Sequence, residues 1–566
     1  VAADETAAFL RGCRERAADA GRDAVLRDVA TGAIRAPAAP PLPELLGMVC
    51  EALQPDETRR AGGVFYTPPA VAARIVDEAL ALLDGDPAGW RICDPACGGG
   101  AFLVAVARRL IQLGVAPAVV VGECLFGTDV DPVAVEVTRA ALRLLAPGAE
   151  PGVEVADALI DDRVDVYDAV VGNPPFGNQL ERETAHDEAT AARLKQSFGP
   201  LAAAYTDTST VFFALASRLT RPGGAFGMIL PESVLAARDA GPLRTELATQ
   251  ASPRWIWRSV DNVFAANVRV CAPVFAKSTT VARVRRCAGA DFAELPPVDA
   301  DLAAHPTWSF LFADTMGIPE FHLDDAGTLG DYCDATADFR DQYYGLVGHV
   351  REHDGAAGLV PLITVGLIEP GRVLWGARPT RFARTGYLRP ALDPAGLPPD
   401  LQVWAKARLV PKVVLATQSR VLEAAVDVDG AWLPSLPTIT VTAHSASDRH
   451  IAAALTSPVA TAVALRRVAG AALSHDAIKL SAKQVLALPA PKRGPDWDEA
   501  AAAMLDVAAA SDEPAWRHAL DRVADATCRA YGVDHAAELS EWWRNRLPRW
   551  RAGLSPDRTG PGSPGR

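Results

Sequence analysis

Between Gly63 and about Phe275, short apolar runs alternate with amphipathic stretches of helical period. That alternation predicts an α/β fold, a parallel sheet with helices on both faces. The predicted strands cover 90–93, 125–129, 153–155, 168–172, 225–230 and 270–276. Between them, 68–83, 101–113, 132–145 and 208–219 repeat apolar residues at helical spacing, two of them with proline in the first turn. Outside this region the pattern changes. Residues 1–60 read as a helical extension, with an apolar stretch over 42–50 and again at Leu53, and with no evident chemistry. Taking 61–290 as the α/β domain, 291–370 is mixed, acidic and read as a connecting or inserted region. Over 371–493, strand-like runs such as 409–417 and 438–441 are broken by Pro and Gly, which predicts a second, separately cored domain. Residues 494–552 are Ala-rich and helical, with Trp516, Trp542, Trp543 and Trp550 available as anchors. The tail, 553–566, is rich in Gly, Pro and Ser, a composition expected to be disordered.

Composition narrows the class. The chain has 566 residues, 49% hydrophobic and 22% charged, enough for two or three cored domains. No window approaches the run of about 20 apolar residues that a spanning helix needs; the nearest, 451–465, ends in Arg466 and Arg467. No membrane partner is therefore expected. The opening Val-Ala-Ala-Asp-Glu lacks the basic, apolar, small-residue progression of a secretory signal. Nine cysteines without a C-x-x-C pair argue against a disulfide scaffold or a zinc ribbon, so a cytoplasmic location is expected. The net charge of −13 alone argues weakly against a polyanionic partner. That average hides an asymmetry: 371–493 holds 16 Lys plus Arg against 7 Asp plus Glu, a net charge of +9, leaving −22 elsewhere. One segment is thus suited to face a phosphate backbone.

Candidate chemistry lies at the ends of the predicted strands, where parallel sheets bind ligands. Cys93-Asp94-Pro95-Ala96-Cys97-Gly98-Gly99-Gly100 joins the first strand to a helix. Contiguous glycines let backbone approach a ligand, and the helix start offers free amides; the alternative is a plain tight turn. The G-x-G-x-x-G spacing of dinucleotide loops is absent. The next strand ends at Asp129, which could accept from ribose hydroxyls or merely cap a helix. Asp157 and Leu159 follow the third strand, suited to an exocyclic amine and a ring face. The fourth ends in Asn173-Pro174-Pro175-Phe176. Two prolines remove two amide donors, so Asn173 Oδ1 and the Pro174 carbonyl could receive both hydrogens of an amino group, while Phe176 stacks on the attached ring. In isolation that tetrapeptide would read as a turn; four strand ends converging on one pocket say more.

With these motifs in this order, the chain resembles the gamma-type, TaqI-like adenine-N6 DNA methyltransferases that use S-adenosylmethionine. Gly63-Val64-Phe65-Tyr66-Thr67-Pro68-Pro69 is similar to their cofactor-side motif, and the segment at Asp94, then Asp129, Asp157 and Asn173-Pro174-Pro175-Phe176 follow in the family's order. Ile229-Leu230-Pro231-Glu232 is similar to the fifth-strand segment, and Asp261-Asn262-Val263-Phe264 to the stretch supplying a second aromatic wall for the target base. The resemblance is dense over 45–275 and looser at 413–420 and 478–483, which are similar to target-recognition domains. Gly99 stands where Ser is frequent, and Phe176 where Tyr is commoner.

The resemblance implies a Rossmann-like methyltransferase sheet, a separate basic target-recognition domain and helical extensions at both ends. It implies methyl transfer to N6 of a flipped-out adenine in double-stranded DNA, in restriction-modification or phage defence, with a separately encoded partner left open. Asn173, Pro174, Pro175 and Phe176 would be catalytic, with Phe176 and Phe264 stacking on the base. Thr67, Asp94, Pro95, Ala96, Cys97, Gly98, Asp129, Asp157 and Leu159 would hold the cofactor. Arg372, Arg378, Arg381, Lys406, Arg408, Lys412, Arg420, Lys479 and Lys483 would contact DNA, although each alone could be a solvated charge.

Other readings compete. Asn-Pro-Pro-aromatic loops also serve enzymes acting on RNA or on a protein glutamine amide. A decayed fold would leave a non-catalytic specificity subunit, against which the intact motif set argues. His349-Val350-Arg351-Glu352-His353 matches the H-x-x-E-H pattern of inverted zinc peptidases, but Asp354-Gly355 follows at once and no third ligand is evident, so no metal is expected. None of the seven lysines has Glu, Asp or Gln two positions earlier, so cleavage by the common E-x-K nuclease core is not expected.

Overall fold

The computed structural model describes residues 2–37, 41–53, 67–161, 165–177, 188–203, 206–260, 269–280, 283–299, 301–305, 307–323, 327–337, 340–435, 437–468 and 477–550. The chain divides into two units, Val1–Trp308 and Ser309–Arg566.

In the first unit, helices α1 (Ala2–Ala20), α2 (Arg22–Ala30) and α3 (Leu42–Ala52) precede α4 (Pro69–Leu80) and an alternating series. That series runs β1 (Ile92–Asp94), α5 (Ala101–Gln112), β2 (Leu125–Asp129), α6 (Pro132–Leu145), β3 (Gly152–Val155), β4 (Tyr167–Gly172), α7 (Glu188–Phe198), α8 (Thr208–Leu219) and β5 (Thr220–Met228). Then come β6 (Leu230–Pro231), α9 (Gly241–Gln250), β7 (Ser252–Arg258), β8 (Val270–Ala276), β9 (Arg283–Ala288) and β10 (Ala293–Asp299). The strands form one ten-stranded sheet ordered β10-β9-β7-β8-β5-β4-β1-β2-β3, with β6 beside β8.

The expected parallel sheet is only half of this sheet. β1 to β5 are mutually parallel, whereas β8 is antiparallel to β5 and β7. Strand order reverses at the β1–β4 pair, the place where an open α/β sheet leaves a crevice at its carboxyl edge. The reason for the elements is local. α6 starts with Pro132 in its first turn, is capped by Asp131 and buries Val135, Ala141 and Leu142 along one face. α1 to α3 share the core of the sheet's helices: Cys13, Val25, Leu45 and Val49 belong to the same buried cluster as Leu103 and Leu142.

The second unit is built on two four-stranded sheets. One pairs Cys333–Ala337, Thr438–Ala443, Lys412–Ala416 and Ala424–Asp427, all antiparallel; the other pairs Arg351–Glu352, Pro390–Leu392, Val360–Ile363 and Leu433–Pro434. Strands before residue 370 therefore pair with strands after it, so the boundary drawn from charge separates pieces of common sheets. Helices Pro495–Ala509, Glu513–Ala530 and Ala536–Arg544 belong to this unit, with Trp516 and Trp543 fully buried. Trp516 Nε1 donates to the Pro370 carbonyl at 3.1 Å, and Trp542 Nε1 to the Met316 carbonyl at 3.0 Å.

No single helix among the described residues is long and apolar enough to cross a membrane. The apolar stretch 451–465 falls in Asp448–Leu455 and Pro458–Val468, which bend by 58° at their junction and are largely buried.

Candidate active site

β1 delivers Asp94 to the crevice with 1% of its surface exposed. Its Oδ1 accepts the Ala96 N–H at 3.1 Å. Burial, with Asp129 nearby, pushes this carboxyl up to about 8, against the pull of the Ala96 hydrogen bond. A buried acid of that kind gains from a cationic neighbour. The glycine loop beyond it has separate causes at each position. Gly98 and Gly100 hold φ of 50° and 88°, which favour glycine. A Cβ on Gly99 would stand 2.7 Å from Gly47 Cα in α3. The loop is tied to its neighbours by Cys97 N–H donating to Thr128 O at 2.9 Å, Thr128 Oγ1 to Pro95 O at 3.1 Å and Thr138 Oγ1 to Gly98 O at 2.7 Å.

Asp129, at the end of β2, accepts the Gly98 N–H at 2.8 Å through Oδ2 and the Asp131 N–H at 2.9 Å through Oδ1. Burial raises its pKa too. The residue assigned to a ribose therefore also shapes the loop, and a carboxylate has lone pairs left for two hydroxyls. Beyond β3, Asp157 Oδ1 accepts the Leu159 N–H at 3.0 Å, and Leu159 is buried.

Asn173 follows directly on β4, the strand that pairs with β1. Asn173 Nδ2 donates to Thr67 Oγ1 at 3.1 Å, joining the loop to the residue that leads into α4. That bond fixes the amide plane and turns Oδ1 the other way. The fit between β1 and β4 is close: a Cβ on Gly172 would stand 2.6 Å from Asp94 Oδ1. Pro174 is buried, and Phe176, 7% exposed, packs in the core cluster, so stacking on a target base requires its ring to be uncovered. Phe264 and Gly63 to Tyr66 lie outside the described residues.

Sequence reasoning missed Asp207. Its Oδ2 accepts the Gly177 N–H at 3.0 Å and its Oδ1 accepts the Ser209 N–H at 2.9 Å, so one carboxylate fastens the end of the Asn-Pro-Pro-Phe loop to the start of α8. Thr208 N–H donates back to Gly177 O at 2.8 Å. The available signal was an Asp one residue before a predicted helix, an ordinary cap.

In the second unit the nine basic candidates separate. Lys412 is fully buried, with Nζ held by Asp427 and the Val410 carbonyl, which removes it from the DNA-facing set. Arg372 and Arg378 both pair with the buried Glu369, and Arg372 also lies 3.6 Å from the centre of the Trp550 ring; both guanidinium groups are already engaged inside the fold. Arg381, Lys406, Arg420, Lys479 and Lys483 are exposed and Arg408 is half-buried. The two segments 413–420 and 478–483 are joined by a bridge, Ile478 N–H to Ser419 O at 2.8 Å. A hairpin, Thr380–Phe382 with Thr385–Tyr387, adds exposed Arg384 at a turn where Ala383 and Arg384 hold φ of 47° and 70°. The H-x-x-E-H segment is not helical: Glu352 lies in a strand and accepts the Leu388 and Arg389 N–H groups.

A 3-2-1-4-5 parallel order with acidic groups ending its first two strands and Asn-Pro-Pro-Phe ending the fourth defines the Rossmann-like methyltransferase class. Within it, residues 45–287 match the N-6 DNA Methylase family model. The chain is 30% identical over 197 residues to the type II methyltransferase M.VspI of Vibrio sp. (strain 343), covering 34% of this chain and 42% of that protein. It is 29% identical over 201 residues to the type II methyltransferase M.TthHB8I of Thermus thermophilus, covering 35% and 41%. The matches thus span under half the length of these relatives. In fold it is similar to the type IIL restriction-modification enzyme MmeI, solved in complex with DNA, with TM-score 0.60, 14% identity and coverage of 89% and 82%.

Proposed function

We propose that the protein is a site-specific DNA methyltransferase that transfers a methyl group from S-adenosylmethionine to adenine N6, in a restriction-modification setting. The observation that carries this reading is the placement of Asn173-Pro174-Pro175-Phe176 directly after the strand that pairs with the one ending in buried Asp94, inside a segment matching the N-6 DNA Methylase family. Three features fit the cofactor. Asp94 is a buried acid that favours a cation, Gly98 and Gly100 hold left-handed backbone that favours glycine, and Asp129 faces the loop with acceptor capacity in reserve. S-adenosylmethionine supplies an electrophilic methyl group on a sulfonium.

The chain's residues bind and orient. Asp94 and the Gly98 loop hold the cofactor, with Asp129 toward the ribose and Asp157 and Leu159 toward the adenine. Asn173 Oδ1 and the Pro174 carbonyl would accept the hydrogens of the target amine and so orient its lone pair; Phe176 and Phe264 would take the ring. A base inside a duplex is out of reach, so it is extruded at a cost of a few kcal/mol. Acceleration then comes from positioning and fixed dipoles. The exposed Arg381, Arg384, Lys406, Arg420, Lys479 and Lys483 face phosphates or base edges. Asn173→Ala tests the assignment: cofactor binding measured by calorimetry stays near the parent value while methyl transfer falls below about one-thousandth. Turnover within tenfold of the parent would refute it.

A further inference from the structure

The N-terminal helices reach the cofactor loop through two independent contacts. The first is ionic. Gly21, with φ of 85°, lets the chain reverse between α1 and α2 and sets Arg22 at the start of α2. Arg22 Nη2 donates to Asp131 Oδ2 at 3.0 Å and to Cys50 Sγ of α3 at 3.1 Å. Both partners of the ion pair are half-buried, at 24% and 28% exposure, which keeps the contact partly shielded from solvent. Asp131 Oδ1 caps α6 through the Val133 N–H at 2.9 Å, and its own N–H donates to Asp129 Oδ1 at 2.9 Å. Asp129 in turn holds the Gly98 N–H at 2.8 Å. The relay from α2 to the glycine loop is thus continuous: Arg22, Asp131, Asp129, Gly98.

The second contact is steric. α3 lies so close to the loop that only a hydrogen fits between Gly47 and Gly99, a Cβ on the latter coming within 2.7 Å of Gly47 Cα. α3 is fastened there by a two-pronged ion pair between Glu44 and Arg108 of α5, with Arg108 Nη2 to Glu44 Oε2 at 2.8 Å. α1 is tied to the end of α3 by Arg14 Nε donating to the Ala52 carbonyl at 2.7 Å.

We propose that Arg22 is a positioning residue for S-adenosylmethionine: with α3 as the wall behind Gly99, it holds Asp131, and through it Asp129 and Gly98, in the geometry that binds the cofactor. The proposal rests on the reading of this crevice as the cofactor site. Without Arg22, the Asp131 carboxylate swings between its cap and solvent, and the peptide that donates to Asp129 loses its fixed direction. The effect falls on cofactor affinity and leaves the transfer step alone, because nothing in the relay touches Asn173.

The experiment uses the full chain and S-adenosylmethionine itself, in three variants: Arg22→Met, Arg22→Lys and Asp131→Asn. The parent is titrated first; no binding by the parent would overturn the reading of the crevice and, with it, the role of Arg22, whereas the outcomes below bear on Arg22 alone. Given parent binding, Arg22→Met is expected to weaken the dissociation constant about fivefold to tenfold, as for loss of one charged hydrogen bond acting at second hand. The turnover rate at saturating cofactor should stay within about twofold, and Arg22→Lys should recover part of the affinity. Combining Arg22→Met with Asp131→Asn should add little to either alone. An unchanged dissociation constant in Arg22→Met, even with a lowered melting temperature, would show that the helix merely supports the fold and would overturn the proposal. Fully additive losses in the double variant would also overturn it.

Discussion

Replacing Gly172 by alanine adds one methyl group at the narrowest point of the crevice. The residue lies in β4 without a positive φ, so alanine's backbone preference is not at issue. Its Cβ would stand 2.6 Å from Asp94 Oδ1 and 3.2 Å from Asp94 Cγ. Ordinary contact needs about 3.5 Å, so the carboxylate must retreat by about 1 Å. That move takes Oδ1 away from the Ala96 N–H, now 3.1 Å distant. Leaving a buried hydrogen-bonding group unmatched costs about 1–3 kcal/mol, or roughly fivefold to a hundredfold in an equilibrium. Two assays read the effect. Calorimetric titration with S-adenosylmethionine should show an affinity loss of at least about fivefold. Urea unfolding should show a loss of about 1–3 kcal/mol in the parent background and under about 0.5 kcal/mol in an Asp94→Ala background, where the methyl group has room. Equal destabilisation in both backgrounds would refute the argument that the methyl group acts through Asp94.

Further outcomes are expected. Asp94 carries a carboxyl raised to about 8 by burial. A cation binds better to its ionised form, so affinity for S-adenosylmethionine should fall as pH drops below about 8, by up to about tenfold per pH unit; a flat profile from pH 6 to 8 would count against Asp94 as the partner. The sign for stability is opposite. The protonated acid supports the fold below about pH 4, and this support is lost as pH rises through about 8. Asp94→Asn should therefore gain melting temperature relative to the parent between pH 5 and pH 8. Asp207→Ala frees Gly177 and α8 together, and should lower the methyl-transfer rate about tenfold or more while cofactor affinity holds; the opposite split would place Asp207 in the cofactor site. Lys479→Ala and Lys483→Ala should each weaken duplex binding and reduce its salt slope by about one, whereas Lys412→Met should destabilise the fold by about 3–5 kcal/mol by leaving buried Asp427 without its counter-charge. A Lys412→Met protein with parental stability would contradict the burial.

The elements around the site were legible because an apolar run there ends in a polar or glycine-rich turn. The expected 125–129 and 132–145 coincide with β2 and α6, and 208–219 and 270–276 with α8 and β8. β7 was missed because Ser-Pro-Arg-Trp-Ile-Trp-Arg contains a proline and two arginines; Pro253 sits at a register shift against β8, where a missing donor is tolerated. β9 was hidden in the same way. Arg286 is 1% exposed and donates to the Pro296 carbonyl, so a charged residue occupies a core position. Charge also misled the domain boundary at 370 and the DNA-contact list, since Glu369 and Asp427 consume three of the cations. Asp94, Asp129 and Asn173 were readable as strand-end groups. Arg22 and Asp207 were not, because their roles depend on partners that only folding brings near, Asp131 and Gly177.

Methyl transfer to adenine N6 is tested most directly by following labelled methyl from S-adenosylmethionine into unmethylated duplex DNA. The products are digested to nucleosides and weighed by mass spectrometry, beside an Asn173→Ala control. Label is expected in N6-methyl-2′-deoxyadenosine with the parent and none with the control. Unlabelled DNA from a protein that binds S-adenosylmethionine, or label on cytosine, would contradict it.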